Sequence, residues 1–207
     1  MKKFMLIIAA AAALAVSCST GAPAPKGAID TIMNRKSVRS FTGDKLSEDQ
    51  INTLLKAAMA APTGMNAQPW HFIVVTDDAV KAAIPGAGRG DAIKTAGAVI
   101  IVCGETTIQR KPRGNPDAEA ETVPNIFWFE DCSAATENLL LAAEALDLGA
   151  VWLSCWPGEE KNAAVKAAFG LPDNVEAVAI VPVGVPAGND APKDKWKPEK
   201  VHYNAWN

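Results

Sequence analysis

Three short apolar runs, each suited to one buried β-strand, constrain the fold of this 207-residue chain more than any other feature. They span residues 71–76 (HFIVVT), 98–103 (AVIIVC) and 175–183 (VEAVAIVPV), and a further strand is predicted at 150–155. Segments with helical periodicity lie between them. The sequence therefore predicts an α/β or α+β domain, in which helices cover a central sheet.

The predicted helices have clear start and stop signals. Ser47 and Gln50 form a capping-box pattern ahead of apolar residues spaced for one helix face, and Pro62 ends that segment. A first helix is predicted from Ile29 into residues 35–39, and a short one over 77–84 with Asp77 as its cap. Two further helices are predicted over 131–148, ended by Gly149, and over 159–169, ended by Gly170.

Two segments lack such periodicity. Residues 104–126 contain Arg110, Lys111, Arg113 and three prolines but little that could be buried. This composition predicts a structureless insertion that is either a functional lid or disordered. The tail over 186–207 is rich in lysine and proline, yet it ends in aromatic residues that need a surface to dock on, their own subunit's or a partner's.

The N-terminus has the order of a bacterial export signal: Lys2 and Lys3, an apolar run too short for a comfortable membrane span, and small residues before Cys18. Residues 14–18 (LAVSC) resemble a lipobox, in which the cysteine receives lipid, and ordinary signal cleavage is the alternative. We therefore predict a protein of the periplasm or cell envelope that touches the membrane only through a lipid anchor. The predicted divisions are a signal peptide (1–17), a tether (18–27) and one domain (28–207).

Composition and missing motifs exclude several classes of function. The formal net charge of −3 gives no basic excess for nucleic-acid binding. The cysteines after the export signal are odd in number, so no disulfide framework is implied, and no CxxC, HExxH or carboxylate pattern predicts a metal. Gly86, Gly88 and Gly90 follow no strand and are spaced G-x-G-x-G, which argues against a Rossmann site. Neither a Walker A motif nor a G-x-S-x-G elbow is present.

A cationic cluster at residues 35–39 (RKSVR) is the first candidate site. On the predicted helix, Arg35 and Arg39 lie four residues apart on one face, with the Ser37 hydroxyl between them. Guanidinium and hydroxyl groups placed in this way can bracket a phosphate. On these residues alone, a solvated helix face is the alternative.

The segment at 62–72, between a helix and a strand, is the second candidate site. Asn66 and Gln68 can each donate and accept hydrogen bonds, which suits a flat heterocycle with alternating carbonyl and N–H groups. A rigid helix-to-strand turn is the alternative.

Together these motifs resemble the FMN-dependent nitroreductase family over about residues 29–206. The family's R-x-S-x-R/K motif is matched at 35–39, and its P-(S/T)-x-x-N-x-Q-P-W turn is matched at 62–70. Further similarity lies in Asn138-Leu139-Leu140, in 148–153 (LGAVWL) and in Pro182-Val183-Gly184. The resemblance implies an α+β fold with a mixed, mostly antiparallel central sheet flanked by helices. It also implies a homodimer in which the C-terminal tail wraps the partner subunit.

The resemblance implies a set of cofactor-binding residues and no catalytic side chain. Around the FMN phosphate and ribityl chain the resemblance places Arg35, Lys36, Ser37 and Arg39, with Lys195 or Lys197 of the tail. From the partner subunit it places Pro62, Thr63, Met65 and Asn66, with Gln68 in the same turn. Beside the isoalloxazine it places Trp152, Leu153, Ser154 and Cys155.

The reaction implied by the resemblance is ping-pong hydride transfer from NADH or NADPH through flavin N5 to a nitroaromatic, a quinone or a similar small acceptor. Dehalogenation, dehydrogenation and flavin cleavage are alternatives with the same fold and cofactor, and a non-enzymatic surface lipoprotein is another. Because export would separate the protein from cytoplasmic NAD(P)H, a membrane partner is a further candidate for the electron donor.

Overall fold

The computed structural model describes residues 26–86, 91–112, 114–115 and 117–206. The predicted signal peptide, Cys18, most of the tether, and the positions of Gly88, Gly90 and Arg113 lie outside these residues. In the described part of the chain, the helices are α1 (Ala28–Asn34), α2 (Glu48–Met59), α3 (Asp78–Ala83), α4 (Ala92–Thr95), α5 (Trp128–Ala145) and α6 (Glu159–Phe169). The strands are β1 (Trp70–Val75), β2 (Ala98–Glu105), β3 (Thr107–Arg110), β4 (Glu121–Pro124), β5 (Gly149–Ala150), β6 (Leu153–Ser154) and β7 (Val175–Gly184).

The central sheet has the order β1-β2-β7-β5, with β6 also paired to β7, and all of these pairings are antiparallel. An isolated bridge between Ser37 and Ala150 adds one parallel pairing at the edge. The sheet order explains the apolar runs, because β2 and β7 are the interior strands and are buried on both faces. The prediction of a mixed, mostly antiparallel sheet is therefore confirmed.

Helices cover both faces of the sheet. On one face, α2 and α5 contribute Leu54 and Leu139 to a core that also contains Ile100 of β2. On the other face, α4 and α6 pack against Ile101, the next residue of the same strand. Successive side chains of a strand point to opposite faces, so one apolar strand can supply both cores. The predicted α+β class is confirmed.

The capping signals predicted from the sequence are present. The Ser47 hydroxyl accepts a hydrogen bond from the Gln50 N–H at 3.1 Å, and the Gln50 side chain accepts one from the Ser47 N–H at 2.9 Å. The Asp77 carboxylate accepts from the first N–H groups of α3. Gly170 ends α6 with a φ of 64°, a left-handed conformation that glycine adopts without strain.

The prediction that the first helix runs into residues 35–39 is wrong. The helix ends at Asn34, and Arg35 is extended with φ −56° and ψ 131°. Burial of Val38 explains the difference, because its N–H donates to the Ala150 carbonyl at 3.0 Å and its side chain packs against Gly149. A Cβ at Gly149 would lie 2.7 Å from that side chain, so this glycine permits a close approach of backbone and does not end a helix.

Other predicted boundaries also need correction. Helix α5 begins three residues earlier than predicted and ends at Ala145, and the strand predicted at 150–155 is divided into β5 and β6. Residues 104–126 are not a structureless insertion, because β2 continues to Glu105 and β3 pairs with β4. Ile108 lies opposite Val123 in this hairpin, which gives it one apolar cross-strand pair. Among the described helices, none is long and apolar enough to cross a membrane.

Candidate functional site

The extended segment at 35–39 lines a cavity of about 540 Å³. Arg35, Lys36, Ser37 and Arg39 all line it, whereas Val38 is buried in the core. This arrangement differs from the predicted one, in which Arg35 and Arg39 lie four residues apart on one face of a helix with Ser37 between them. The candidate phosphate-binding groups are nevertheless brought together.

The C-terminal tail returns to the same cavity. Two backbone hydrogen bonds hold its start beside residues 40–42: the Ala187 N–H donates to the Ser40 carbonyl, and the Thr42 N–H donates to the Val185 carbonyl, each at 3.0 Å. The tail then brings Asp190, Ala191, Lys193 and Lys195 to the cavity wall. Lys197 does not line this cavity, whereas Lys193, which the sequence analysis missed, does. The lysines at every second position, Lys193, Lys195 and Lys197, were the sequence signal that could have identified Lys193.

The cavity wall has a positive balance of charge. Its lining contains five cationic side chains and one carboxylate, that of Asp190. Two of the cations are also paired with α5: Arg35 Nε lies 3.4 Å from Glu137 Oε1, and Lys36 Nζ lies 3.4 Å from Glu144 Oε2. The same Glu144 accepts from Lys26, whose pKa is raised by hydrogen bonds to Asp147 and Glu144. A divalent anion such as a phosphate fits this wall.

The turn at 62–68 has an unusual backbone. Met65, Asn66 and Gln68 adopt φ values of 55°, 56° and 49°, in the left-handed region that non-glycine residues rarely occupy. The Gln68 side-chain amide donates to Asn66 Oδ1 at 2.9 Å, and the Gln68 N–H donates to Thr63 Oγ1 at 3.4 Å. Met65, Asn66 and Gln68 are exposed, so the turn presents both amides to a ligand or a partner.

The start of α5 holds this turn at Gly64. The Gly64 N–H donates to Asp131 Oδ1 at 2.8 Å, and a Cβ at Gly64 would lie 2.5 Å from the Phe127 ring. Asp131 is buried, and its second oxygen, Oδ2, has no hydrogen-bond partner among the described residues. Burial raises the pKa of this carboxyl, the Gly64 N–H opposes the rise, and the nearby Glu130 adds to it. Asp131 carries no signal in the sequence, because an acidic residue in the first turn of a helix is ordinary.

Residues 152–155 run along β7 and differ from one another in exposure. Trp152 and Leu153 are half-buried and Ser154 is exposed. Leu153 lines a separate cavity of about 370 Å³ together with Lys161, and Lys161 Nζ donates to the Ser154 carbonyl at 2.8 Å. Cys155 lies in the core, where burial raises the pKa of its thiol. Its side chain is therefore placed for packing, and its N–H is already bonded to the Val178 carbonyl.

The turn and the cationic cavity lie at opposite ends of the sheet. Trp70, directly after the turn, pairs with Gly104, which pairs in turn with Glu176 at one end of β7. Residues 35–39 lie beside β5, which pairs with Gly184 at the other end. The eight residue steps from Glu176 to Gly184 correspond to about 26 Å at the usual rise of a strand. Within one chain, the structure therefore brings residues 35–39 and the tail together and keeps the turn apart from them.

Comparison with known proteins places this architecture in a family. The Nitroreductase family matches residues 32–87 and 83–185. A protein of Archaeoglobus fulgidus assigned as an NADH dehydrogenase/NAD(P)H nitroreductase is 35% identical over 179 residues, which cover 84% of this chain and 96% of that protein. The FMN reductase (NADPH) of Bacillus subtilis is 30% identical, over 86% of this chain and 74% of that protein.

A solved structure agrees with the sequence matches. The crystal structure of a Bacteroides thetaiotaomicron protein assigned as an NADH dehydrogenase/NAD(P)H nitroreductase is 36% identical to this chain. It superimposes with a TM-score of 0.74 over 87% of this chain and 99% of that one. The matches in sequence and in structure show that this chain belongs to the nitroreductase family.

Proposed function

We propose that this chain is an FMN-dependent oxidoreductase that passes hydride from NADH or NADPH to a small acceptor such as a nitroaromatic or a quinone. The observation that carries the proposal is the cationic cavity, where residues 35–39 and the lysines of the tail converge. The names of the relatives from Archaeoglobus fulgidus and Bacillus subtilis support the nicotinamide donor and the flavin.

The cavity fits the phosphate end of FMN. Guanidinium groups at Arg35 and Arg39 would neutralise the phosphate, the Ser37 hydroxyl would donate to it, and Lys195 would close the site from the tail. Lys36 would contribute charge while remaining paired with Glu144. FMN, when bound, supplies the ring that accepts and donates hydride, so the chain itself needs no nucleophile.

The flavin ring would then extend from this cavity toward residues 152–155. The exposed Ser154 and the half-buried Leu153 and Trp152 would line its edge. Cys155 would support them from the core, because its thiol is buried and its N–H is bonded to the Val178 carbonyl. Backbone N–H groups and polar side chains near the ring would favour its reduced, negatively charged form.

A homodimer is part of the proposal, and the position of the turn supports it. Because the turn and the cationic cavity lie at opposite ends of the sheet, Pro62, Thr63, Met65, Asn66 and Gln68 would reach the FMN of the partner subunit and not their own. Large apolar side chains on the surface support such an interface. Ile29 and Met33 of α1 are each 71% exposed, and Trp206 at the end of the tail is 90% exposed. The tail would cover such surfaces on the partner.

Cell-envelope localisation is a second part of the proposal, and it rests on the sequence pattern alone. Residues 1–17 would be removed, Cys18 would receive lipid, and residues 18–27 would tether the domain at 28–207 to the membrane. Mass spectrometry of the mature N-terminal peptide tests it, because a diacylglyceryl group on Cys18 is expected. An unmodified N-terminus within the domain would contradict the lipid anchor.

Anaerobic titration of the purified mature protein tests the function. The protein is expected to be yellow, and its flavin absorbance is expected to bleach on addition of NADH or NADPH. A colourless protein that does not bind added FMN would contradict the cofactor. A flavin that stays oxidised with both nicotinamides would contradict the donor and would point to electrons from a membrane partner.

A further inference from the structure

We infer that Asp131 is the positioning residue of the turn at 62–68: its buried carboxylate fixes Gly64 and thereby sets the direction in which Asn66 and Gln68 face the flavin. The inference rests on the proposed function, because it concerns how the turn contributes to FMN binding. Asp131 does not itself touch the cofactor in this account. It acts through the backbone of the turn.

Two contacts from the start of α5 fix Gly64. Asp131 Oδ1 accepts from its N–H at 2.8 Å, and the Phe127 ring packs where a side chain on Gly64 would lie. Asp131 and Phe127 are one helical turn apart, since the Asp131 N–H donates to the Phe127 carbonyl at 2.9 Å. A hydrogen bond from α5 and a packing contact from the residue directly before this helix therefore locate Gly64.

The rest of the turn needs such an anchor. Three of its residues have backbone conformations in the left-handed region, which is unfavourable for residues other than glycine. Inside the turn, the Asn66 N–H donates to the Thr63 carbonyl at 3.2 Å and the Ala67 N–H donates to the Gly64 carbonyl at 3.1 Å. The accepting carbonyls belong to Gly64 and to its neighbour Thr63, so the position of Gly64 sets the position of the side-chain amides of the turn.

The buried carboxylate of Asp131 is unfavourable for stability. Asp131 Oδ2 is buried without a partner among the described residues, and burial raises the pKa of the group. Because the pKa of Asp131 is raised in the folded state, the protonated carboxyl favours folding at low pH, and this stabilisation is lost as the pH rises through the folded-state pKa. Glu130 and Cys132 are the titratable neighbours on α5, and the turn itself has no ionisable side chain. A charged acceptor makes a stronger hydrogen bond to Gly64 than a neutral one.

The test compares FMN affinity in three full-length variants. Asp131→Asn keeps an acceptor for the Gly64 N–H but removes the charge, and the FMN dissociation constant is expected to rise about fivefold. Asp131→Leu removes the acceptor, and a rise of about fiftyfold is expected. Glu130→Gln is the matched control, because it removes an exposed carboxylate one residue away, and its affinity is expected to stay within about twofold of wild type.

Thermal unfolding and the visible circular dichroism of bound FMN separate positioning from general stability. Asp131→Asn is expected to unfold at or above the wild-type temperature at pH 8, yet to bind FMN more weakly and with an altered dichroism spectrum. Wild-type affinity in both Asp131 variants would overturn the inference, as would a loss in Asp131→Asn that follows a lower unfolding temperature. A wild-type protein that binds no FMN would instead overturn the proposed function.

Discussion

The two parts of the proposed FMN site are built in different ways. The cationic cavity is made of long side chains from residues 35–39 and the tail. Its ion pairs with α5 have long N–O distances of 3.4 Å. The turn at 62–68 depends on one short hydrogen bond to a buried carboxyl and on close packing at Gly64. The cavity would therefore supply electrostatic affinity, and the turn would supply geometry.

One helix supports both parts. Asp131 near the start of α5 holds the turn, while Glu137 and Glu144 further along contact Arg35 and Lys36. Glu137 and Glu144 lie six and thirteen residues beyond Asp131, about 9 Å and about 20 Å along the helix. In the proposed dimer, each α5 would thus contact the sites of two different FMN molecules. Salt is therefore expected to weaken the contribution of the cavity and to leave that of the turn almost unchanged.

Loss of both arginines is expected to have the largest effect. Each charge-assisted hydrogen bond to a phosphate contributes about 1.5–3 kcal/mol, so Arg35→Ala/Arg39→Ala should raise the FMN dissociation constant more than a hundredfold. Fluorescence titration at several salt concentrations measures this, and the salt dependence of binding should become weaker in the variant.

Lys94→Ala is the control for the arginine variant, because Lys94 is an exposed cation of α4 that does not line the cationic cavity. Its affinity for FMN is expected to equal that of wild type. Equal flavin content in the double variant and in wild type would show that the phosphate does not bind at 35–39.

Gly64→Ala is expected to have the next largest effect, and on geometry more than on charge. The added methyl would lie 2.5 Å from the Phe127 ring, and such overpacking destabilises a fold by about 1–3 kcal/mol. Urea unfolding should show this loss, and FMN binding should weaken without a change in its salt dependence.

A second substitution identifies the cause of the Gly64→Ala effect. Phe127→Gly removes the ring and the Cβ, which include the three atoms nearest to the new methyl. Gly64→Ala/Phe127→Gly should therefore be less unstable than the sum of the two single changes. If the double variant is as unstable as the sum of the single changes, the clash with Phe127 is not the cause.

A smaller effect is expected from the lysines of the tail. Lys195 lines the cationic cavity and Lys197 does not, so Lys195→Ala should weaken FMN binding about five- to tenfold. Lys197→Ala is the control and should change it less than about twofold. The reverse order of effects would show that the tail lies differently when FMN is bound.

The sequence predicted the elements whose signals are local. The capping box at Ser47, the cap at Asp77 and the stop at Gly170 each depend on a few neighbouring residues, and each is present. The hairpin of β3 and β4 was missed because its signal is a pairing of Ile108 with Val123, fifteen residues apart and separated by polar chain. Such a pairing has no local periodicity.

Prediction of the candidate site from the sequence was limited in the same way. Residue types at 35–39 and 62–68 were identified from their chemistry, but the helix predicted at 35–39 was wrong because the burial of Val38 against Gly149 overrides local propensity. Asp131 and Lys193 were missed because their roles depend on which distant residues they contact. Contacts between separated segments decide these positions, and a single sequence does not contain them directly.

Glu137→Gln is expected to have the smallest effect and tests whether α5 only supports the cavity. The Arg35–Glu137 pair is long, and the Glu137 side chain is 49% exposed, so its loss should change stability by less than about 1 kcal/mol. Because Glu137 competes with a phosphate for Arg35, FMN binding should become slightly tighter, by about twofold at low salt, and the gain should disappear at high salt. Titration beside Glu130→Gln, which removes a carboxylate of the same helix away from Arg35, provides the control. A clear loss of affinity in Glu137→Gln would mean that Glu137 orients Arg35, and that the cavity depends on geometry as the turn does.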